Sequence, residues 1–430
     1  MRVANAQRRI AGLVLAIARL SFAQTNAEPG ELTLTFPEVV ERALTRHPST
    51  LQARAEVTRA WAIVEQVRAG MLPSLSLNAV GTQLDGARGQ GATVIQAATS
   101  FNANLQLSVP LLVPQRWNAT SQARQAVEVA QSGQGVTARE VAYVAAQAYL
   151  TAVLQNRLLE TARRARDTAR THYDFAHQRL VHGVGNRLDE ARAEKELHDD
   201  EARVASSASS MARAEEALGV VVAAEGRVHA RSDVQLPPAP GVSDALVGAG
   251  GRADVALATQ RAKLADRLVA DAWLDFLPSL SLQAQSFVQT PPTLIAPSAG
   301  WQAQLLATVS LYDGSLRYGL HREREALKQS ARAALEQQAR QARSEVRSAL
   351  DQLAEAERAQ KEAELSGTVA AEVLSLANTA YRAGASTNLE VIDAERNARD
   401  AEASVSVARD VTNQVLLNLL IASGAFPAPR

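Results

Sequence analysis

Hydrophobic and polar residues alternate one by one in four stretches of the chain, and this period of two predicts four β-strands. From Phe101 onward, Phe101, Ala103, Leu105, Leu107, Val109 and Leu111 fall on one face, and Asn102, Asn104, Gln106 and Ser108 fall on the other. Trp301, Ala303, Leu305, Ala307, Val309 and Leu311 repeat the pattern against Gln302, Gln304 and Thr308, with Leu306 breaking the polar row. Two more strands open at Leu75 and Leu280. There Leu75, Leu77, Ala79 and Leu280, Leu282, Ala284 alternate with Ser74, Ser76, Asn78 and Ser279, Ser281, Gln283. The predicted pairs are 72–82 with 101–112, and 277–288 with 301–312. Each strand has about ten residues, enough to cross a bilayer when tilted, and one greasy face opposite one wet face suits a wall between lipid and water.

The remaining pattern is helical. From about Ser121 to Leu180 and from Leu316 to Ala383 the breakers are glycines alone: Gly133, Gly135, Gly319 and Gly367. Rods of that length reach ~90 and ~100 Å. Each leads through a glycine-containing turn into a shorter returning helix, giving helical hairpins over 121–221 and 316–422. Shorter incoming helices are predicted over Phe36 to Gly70 and Asp254 to Phe276, so that two short helices stacked end to end match one long one. Ala401, Val405, Ala408, Thr412, Val415 and Leu419 step by four and three, the spacing of laterally packed helices. Val141, Ala145, Ala148 and Ala152 form a small-residue stripe that permits close approach.

These elements occur twice. Met71-Leu72-Pro73-Ser74-Leu75-Ser76-Leu77 returns as Phe276-Leu277-Pro278-Ser279-Leu280-Ser281-Leu282, and Gly183, Leu188 and Asp189 correspond to Gly384, Leu389 and Glu390. The chain therefore divides into a first repeat over 24–232, a linker over 233–252 rich in Pro and Gly, and a second repeat over 253–425. Pro73 and Pro278 end helices cleanly, which lets rods give way to strands. The loops Gln83 to Ser100 and Thr290 to Gly300 are of the long kind found on the outer side of membrane barrels. Four strands cannot close a barrel and an open edge in lipid strands backbone groups, so several copies must share one; three would give twelve strands. The fold class is mainly α with a small β component.

Composition narrows the function. The 430 residues carry 45 basic and 45 acidic side chains, which leaves no electrostatic footprint for nucleic acid. With no cysteine, structural disulfides, thiolate metal sites and a lipidated N-terminal Cys are excluded. Arg2, Arg8 and Arg9 precede the apolar run Ile10 to Leu20, and Ser21-Phe22-Ala23 follows, so residues 1–23 read as an export signal. No later stretch is apolar for long enough to be a membrane helix.

The order and duplication of these motifs resemble the TolC-like outer-membrane efflux family over about 390 residues. The resemblance is carried by Leu34-Thr35-Phe36, Ala43-Leu44 and His47-Pro48, by the Leu-Pro-Ser-Leu turns at Leu72 and Leu277, and by Tyr381-Arg382-Ala383-Gly384 with Leu389-Glu390-Val391-Ile392-Asp393-Ala394-Glu395-Arg396. It implies a homotrimer in outer-membrane lipid: a twelve-stranded barrel continued by a helical tunnel across the periplasm. A periplasmic adaptor and an inner-membrane pump would be its partners, in drug or metal-ion efflux or in type I secretion. Glu390 and Asp393 match two acidic positions at the narrow periplasmic opening; three apart on a helix, they share a face, and in a trimer each would form a carboxylate ring that favours cations. Gly183, Val184, Leu188, Gly384, Ala385, Ser386 and Leu389 match the turns that touch the adaptor. Tyr381 and Asp189 match a latch that holds the tip closed. The basic partner expected after Gly384 is Ser386 here, which points instead to closure by packing of Leu188, Leu389 and Ile392.

Other chemistry is absent from the sequence. His172, His177 and His182 are five apart, a poor spacing for metal ligands on a helix. His198-Asp199-Asp200-Glu201 reads as a solvated charge run. Gly248 to Gly251 lacks the Lys-Ser/Thr of a phosphate loop. No nucleophile and base stand together, so neither an enzyme nor a cofactor is expected. The alternatives are a periplasmic helical-hairpin adaptor or a structural coiled coil. Neither has a use for duplicated amphipathic strand pairs.

Overall fold

The alternating segments form one four-stranded antiparallel sheet in a computed structural model that describes residues 32–90, 93–231, 234, 236–292 and 297–426. The segment read as an export signal lies outside the described residues. In chain order the main strands are β2 (Ser74–Gln83), β5 (Thr99–Leu112), β7 (Ser279–Thr290) and β8 (Ala299–Thr308), and they lie side by side in that order. The seam between the two repeats is the β5–β7 pair, with Gln106 opposite Gln285 and Leu107 opposite Ala284. β2 and β8 are the outer strands, and among the described residues neither has a partner on its far side. β8 stops at Thr308, short of the expected end at 312, and Leu311 stands 91% exposed beyond it. Between β2 and β5 the loop carries a small hairpin of its own, β3 (Arg88–Gln90) with β4 (Thr93–Gln96).

Register keeps the two faces apart. Leu75 lies opposite Leu107, Leu77 opposite Leu105 and Leu282 opposite Leu305. On the other face amides pair across strands: Asn78 Nδ2 donates to Asn104 Oδ1 at 3.2 Å, Gln302 to Gln285 at 3.2 Å and Gln304 to Gln283 at 3.0 Å. Such ladders satisfy polar groups across strands, the unit of sheet stability.

The helices are α1 (Phe36–Arg46), α2 (Pro48–Ala69), α3 (Pro114–Val181), α4 (Arg187–Val221), α5 (Val242–Gly250), α6 (Ala253–Ala270), α7 (Leu316–Arg382) and α8 (Asn388–Ala422). α3 starts at Pro114, before the expected 121, because a proline suits the first helical turn, where its missing N–H costs nothing. Its 68 residues give a rod of ~100 Å that runs through Gly133 and Gly135 unbroken. The incoming segment 36–70 is two helices and not one, divided where Pro48 holds His47 in extended geometry. α2 and α4 both lie along α3, and α6 and α8 both lie along α7.

The main core forms midway, where α1, α3, α4 and α8 meet a two-stranded parallel sheet of β1 (Leu32–Leu34) and β6 (Val228–Ala230). Val39, Ala43, Ala142, Ala145, Ala146, Tyr149, Leu218, Val228 and Leu417 are fully enclosed there. Phe36 meets Tyr149 edge-on at 5.5 Å, and the Tyr149 hydroxyl donates to the Arg231 carbonyl at 2.5 Å. The stretch read as a linker holds α5, a helix packed on α7 through Ala245 and Ala249. Gly248 is there for contact, since a Cβ on it would lie 2.2 Å from the Ser423 carbonyl oxygen. The stripe on α8 faces α7: Leu419 packs with Ala349 and Leu353, and Val405 lies against Gly367.

Candidate functional site

The two helical hairpins turn at the same end of the molecule, and the turns are built alike. Gly183 has φ +74° and Gly384 φ +76°, left-handed values that stop a helix without a Cβ penalty. The N–H groups of Val184 and Gly185 then bond back to the Arg179 carbonyl, and that of Ala385 to the Ala380 carbonyl. Each returning helix is capped. The Asn186 side chain accepts from the Asp189 N–H at 2.8 Å, and the Thr387 hydroxyl accepts from the Glu390 N–H at 3.3 Å. The turns leave Val184, Leu188 and Leu389 exposed, along with Gly183, Gly384 and Ala385, while Ser386 is half-buried.

Glu390 and Asp393 both line one open hollow on the second hairpin, with Val373, Leu376, Ser386 and Ala394 around them. Glu390 also closes the helix cap, accepting from the Ser386 hydroxyl and from the Thr387 N–H at 2.9 Å. These two bonds hold its carboxyl below the usual carboxylate range. Ile392 is buried within its own chain, so of the three residues expected to close the tip by packing only Leu188 and Leu389 remain presented outward. Arg187 pairs with Glu190, and Glu190 also meets His177 at 2.6 Å.

Tyr381 is buried, stacked on His172 at 5.5 Å, edge-on to Phe175 and covered by the Arg179 guanidinium. Burial first, and then the nearby charge of Asp189, push its phenol above the ordinary value in spite of Arg179. Asp189 uses its backbone carbonyl to accept from Asn388 Nδ2 at 3.0 Å. His172 touches Asn388 Oδ1 at 2.5 Å and Glu395 Oε1 at 3.1 Å. Tyr381 and Asp189 thus belong to one cluster that joins the first hairpin to the second, with His172 and Asn388 at its centre.

A second polar cluster joins the same hairpins farther from the turns. Arg399 reaches Glu196 at 3.2 Å and Asp200 at 2.8 Å, and Arg396 Nε donates to Glu196 at 2.8 Å. Asp200 is 3% exposed, so the run His198 to Glu201 is not simply a solvated face: α4 presents its third member to α8. Burial alone would raise Glu196, but Arg396 and Arg399 hold it below the usual range. Asp200 is raised by burial despite Arg399, with Glu196 adding to the rise. No group of side chains suited to hold a metal ion occurs among the described residues, and no helix of theirs is long and apolar enough to cross a membrane.

Sequence reasoning found the turns, the acidic pair and Tyr381. It weighed His172 only as a metal ligand and Asp200 only as part of a solvated run, and did not single out Asn388, Glu196 or Arg399. A buried charged residue on a rod looks like a surface one until its facing helix is known. The one available signal was the coincidence of His172, Glu196 and Arg399 within a few turns of two matching hairpin tips.

No curated protein matches the chain. Residues 39–223 match the family described as outer membrane efflux protein. Among solved structures the fold is similar to that of CusC, described for transmembrane channel formation, at 20% identity and TM-score 0.76, covering 90% of this chain and 91% of that one. It is similar to the outer membrane protein VceC from Vibrio cholerae at 20% identity and TM-score 0.73, covering 90% and 96%. It is also similar to the open state of the Neisseria gonorrhoeae MtrE outer membrane channel at 21% identity and TM-score 0.75, covering 90% and 88%. The family match thus spans most of the first repeat, and the likeness of fold spans nine-tenths of the chain.

Proposed function

We propose that three copies of this chain form one duct, with a shared twelve-stranded barrel in the outer membrane and a helical tunnel reaching into the periplasm, and that it passes cargo delivered by an inner-membrane pump through a periplasmic adaptor. The carrying observation is the sheet. Its four strands end in two unpartnered edges, and one face exposes Leu75, Leu77, Leu305 and Trp301 at 63–80%. In lipid such edges must be paired, and twelve strands are ample for closure. Cell fractionation tests this: the full chain enters the outer membrane, needs detergent for extraction and has the mass of a trimer. A water-soluble monomer overturns it.

At the tip, Glu390 and Asp393 form carboxylate rings at the narrow opening, favouring cations over anions. Their shared hollow supports this. Replacing both with alanine raises the conductance of reconstituted channels and weakens block by multivalent cations; unchanged conductance and block rule out the rings. Gly183, Val184, Leu188, Gly384, Ala385, Ser386 and Leu389 form the surface offered to the adaptor, and the apolar side chains exposed there support that role. Tyr381 and Asp189 take part in closing the tip, through the cluster they share with His172.

A further inference from the structure

We propose that His172, carrying a proton on each ring nitrogen, clasps the first helical hairpin to the second, and that loss of one proton loosens the tip. The geometry of its two bonds fixes its state. Nδ1 lies 3.1 Å from Glu395 Oε1, and Nε2 lies 2.5 Å from Asn388 Oδ1. The Asn388 amide is held from turning round, because its Nδ2 already donates to the Asp189 carbonyl at 3.0 Å. Its oxygen must therefore face the ring. A carboxylate and an amide oxygen only accept, so each ring nitrogen brings a hydrogen, and the ring is an imidazolium.

Both bonds run from α3 in the first repeat to α8 in the second. The ring side chain is 5% exposed, and that of Glu395 9%, so water does not replace a lost bond easily. The other groups facing the ring are Tyr381 of α7, stacked on it, and Asp189 of α4, whose charge favours the imidazolium. Arg179 of α3 lies over Tyr381 at 5.2 Å. Burial by itself would lower the imidazole's pKa; Glu395 first, and then Asn388 and Asp189, raise it above the ordinary 6.5. A group raised in this way gives its full stabilisation below 6.5 and loses it as pH climbs through the raised value. The neighbouring Arg396 and Arg399 bridges keep their charge across this range. His172 is thus a proton-dependent member of this seam.

The clasp is a property of one protomer, and only its consequence for conduction rests on the duct reading. The chain has no cysteine, so spin labels on V184C and A385C report the distance between the two turns in the full-length, detergent-solubilised protein. Between pH 6 and 9 that distance lengthens with a midpoint above 6.5 when His172 is present. H172Q, which retains a donor but cannot titrate in this range, removes the pH dependence. E395Q keeps the imidazole but lowers the midpoint by on the order of one pH unit. A distance that does not change with pH, or one that changes equally in H172Q, overturns the clasp. Conductance of the reconstituted protein separates the two readings: a pH-dependent distance without conductance at any pH sinks the duct and leaves the clasp standing.

Discussion

The midway core and the four-stranded sheet use the same kinds of side chain to opposite ends. In the core, Leu218, Val228 and Leu417 are fully enclosed by elements of their own chain. In the sheet, Leu77 is 72% exposed and Trp301 80% exposed, although each stands in a regular row with apolar neighbours. The core is complete in one copy, whereas the sheet waits for something outside the chain. Water drives the first together; in the proposed duct, lipid accepts the second, because hydrocarbon leaves no hydrophobic penalty on a greasy face. The change from rods to strands falls at Pro73 and Pro278, just before Ser74 and Ser279.

Four substitutions sharpen or break this contrast. Tyr149→Ala leaves a hole in the core and removes the hydrogen bond to the Arg231 carbonyl. It costs ~3–5 kcal/mol, the usual range for removing a buried aromatic ring, and lowers the thermal midpoint in detergent and in membranes alike. Leu77→Arg puts a charge on the apolar row, which the proposed duct turns toward lipid, and costs ~2–4 kcal/mol near the bilayer centre. It reduces the yield of inserted protein, while Asn104→Arg on the opposite face leaves the yield close to normal. If the two arginines behave alike, the contrast between the faces is wrong. The smallest effect is expected at Asp410, which is buried on α8, accepts from Gln414 at 2.5 Å and has its pKa pushed up by burial to about 6. An acid raised by folding stabilises the folded state at low pH and loses that contribution as pH rises from 3.8 through 6. Asp410→Asn therefore raises the thermal midpoint at pH 7.5 more than at pH 4.5, as a melting series across pH would show.

The sheet, the rods and their duplication were legible because each is periodic over many residues: Leu105, Leu107 and Val109 mark a strand without reference to any partner. β1 and β6 were not legible. Each has three residues, too few for a period, and each is extended because the other lies beside it far along the chain. α5 hid among glycines, one of which is needed for a backbone contact with Ser423 that no local pattern announces. At the tip the glycine turns declared themselves by position, and Glu390 and Asp393 were singled out by the family resemblance. His172 and Asp200 did not declare themselves, since a charged group becomes a bridge only when the facing helix supplies Glu395 or Arg399.

The parity of the sheet has its own consequence for assembly. With an even strand count, β2 and β8 point opposite ways along the wall. Rotating a copy about an axis and setting its first ribbon against the last of its neighbour preserves the up-down rhythm at every joint. An odd count would force two ribbons of like direction together once per copy. The head-to-tail contact is thus free to recur around a ring without any joint being of a different kind, and the ring's size is left to curvature alone.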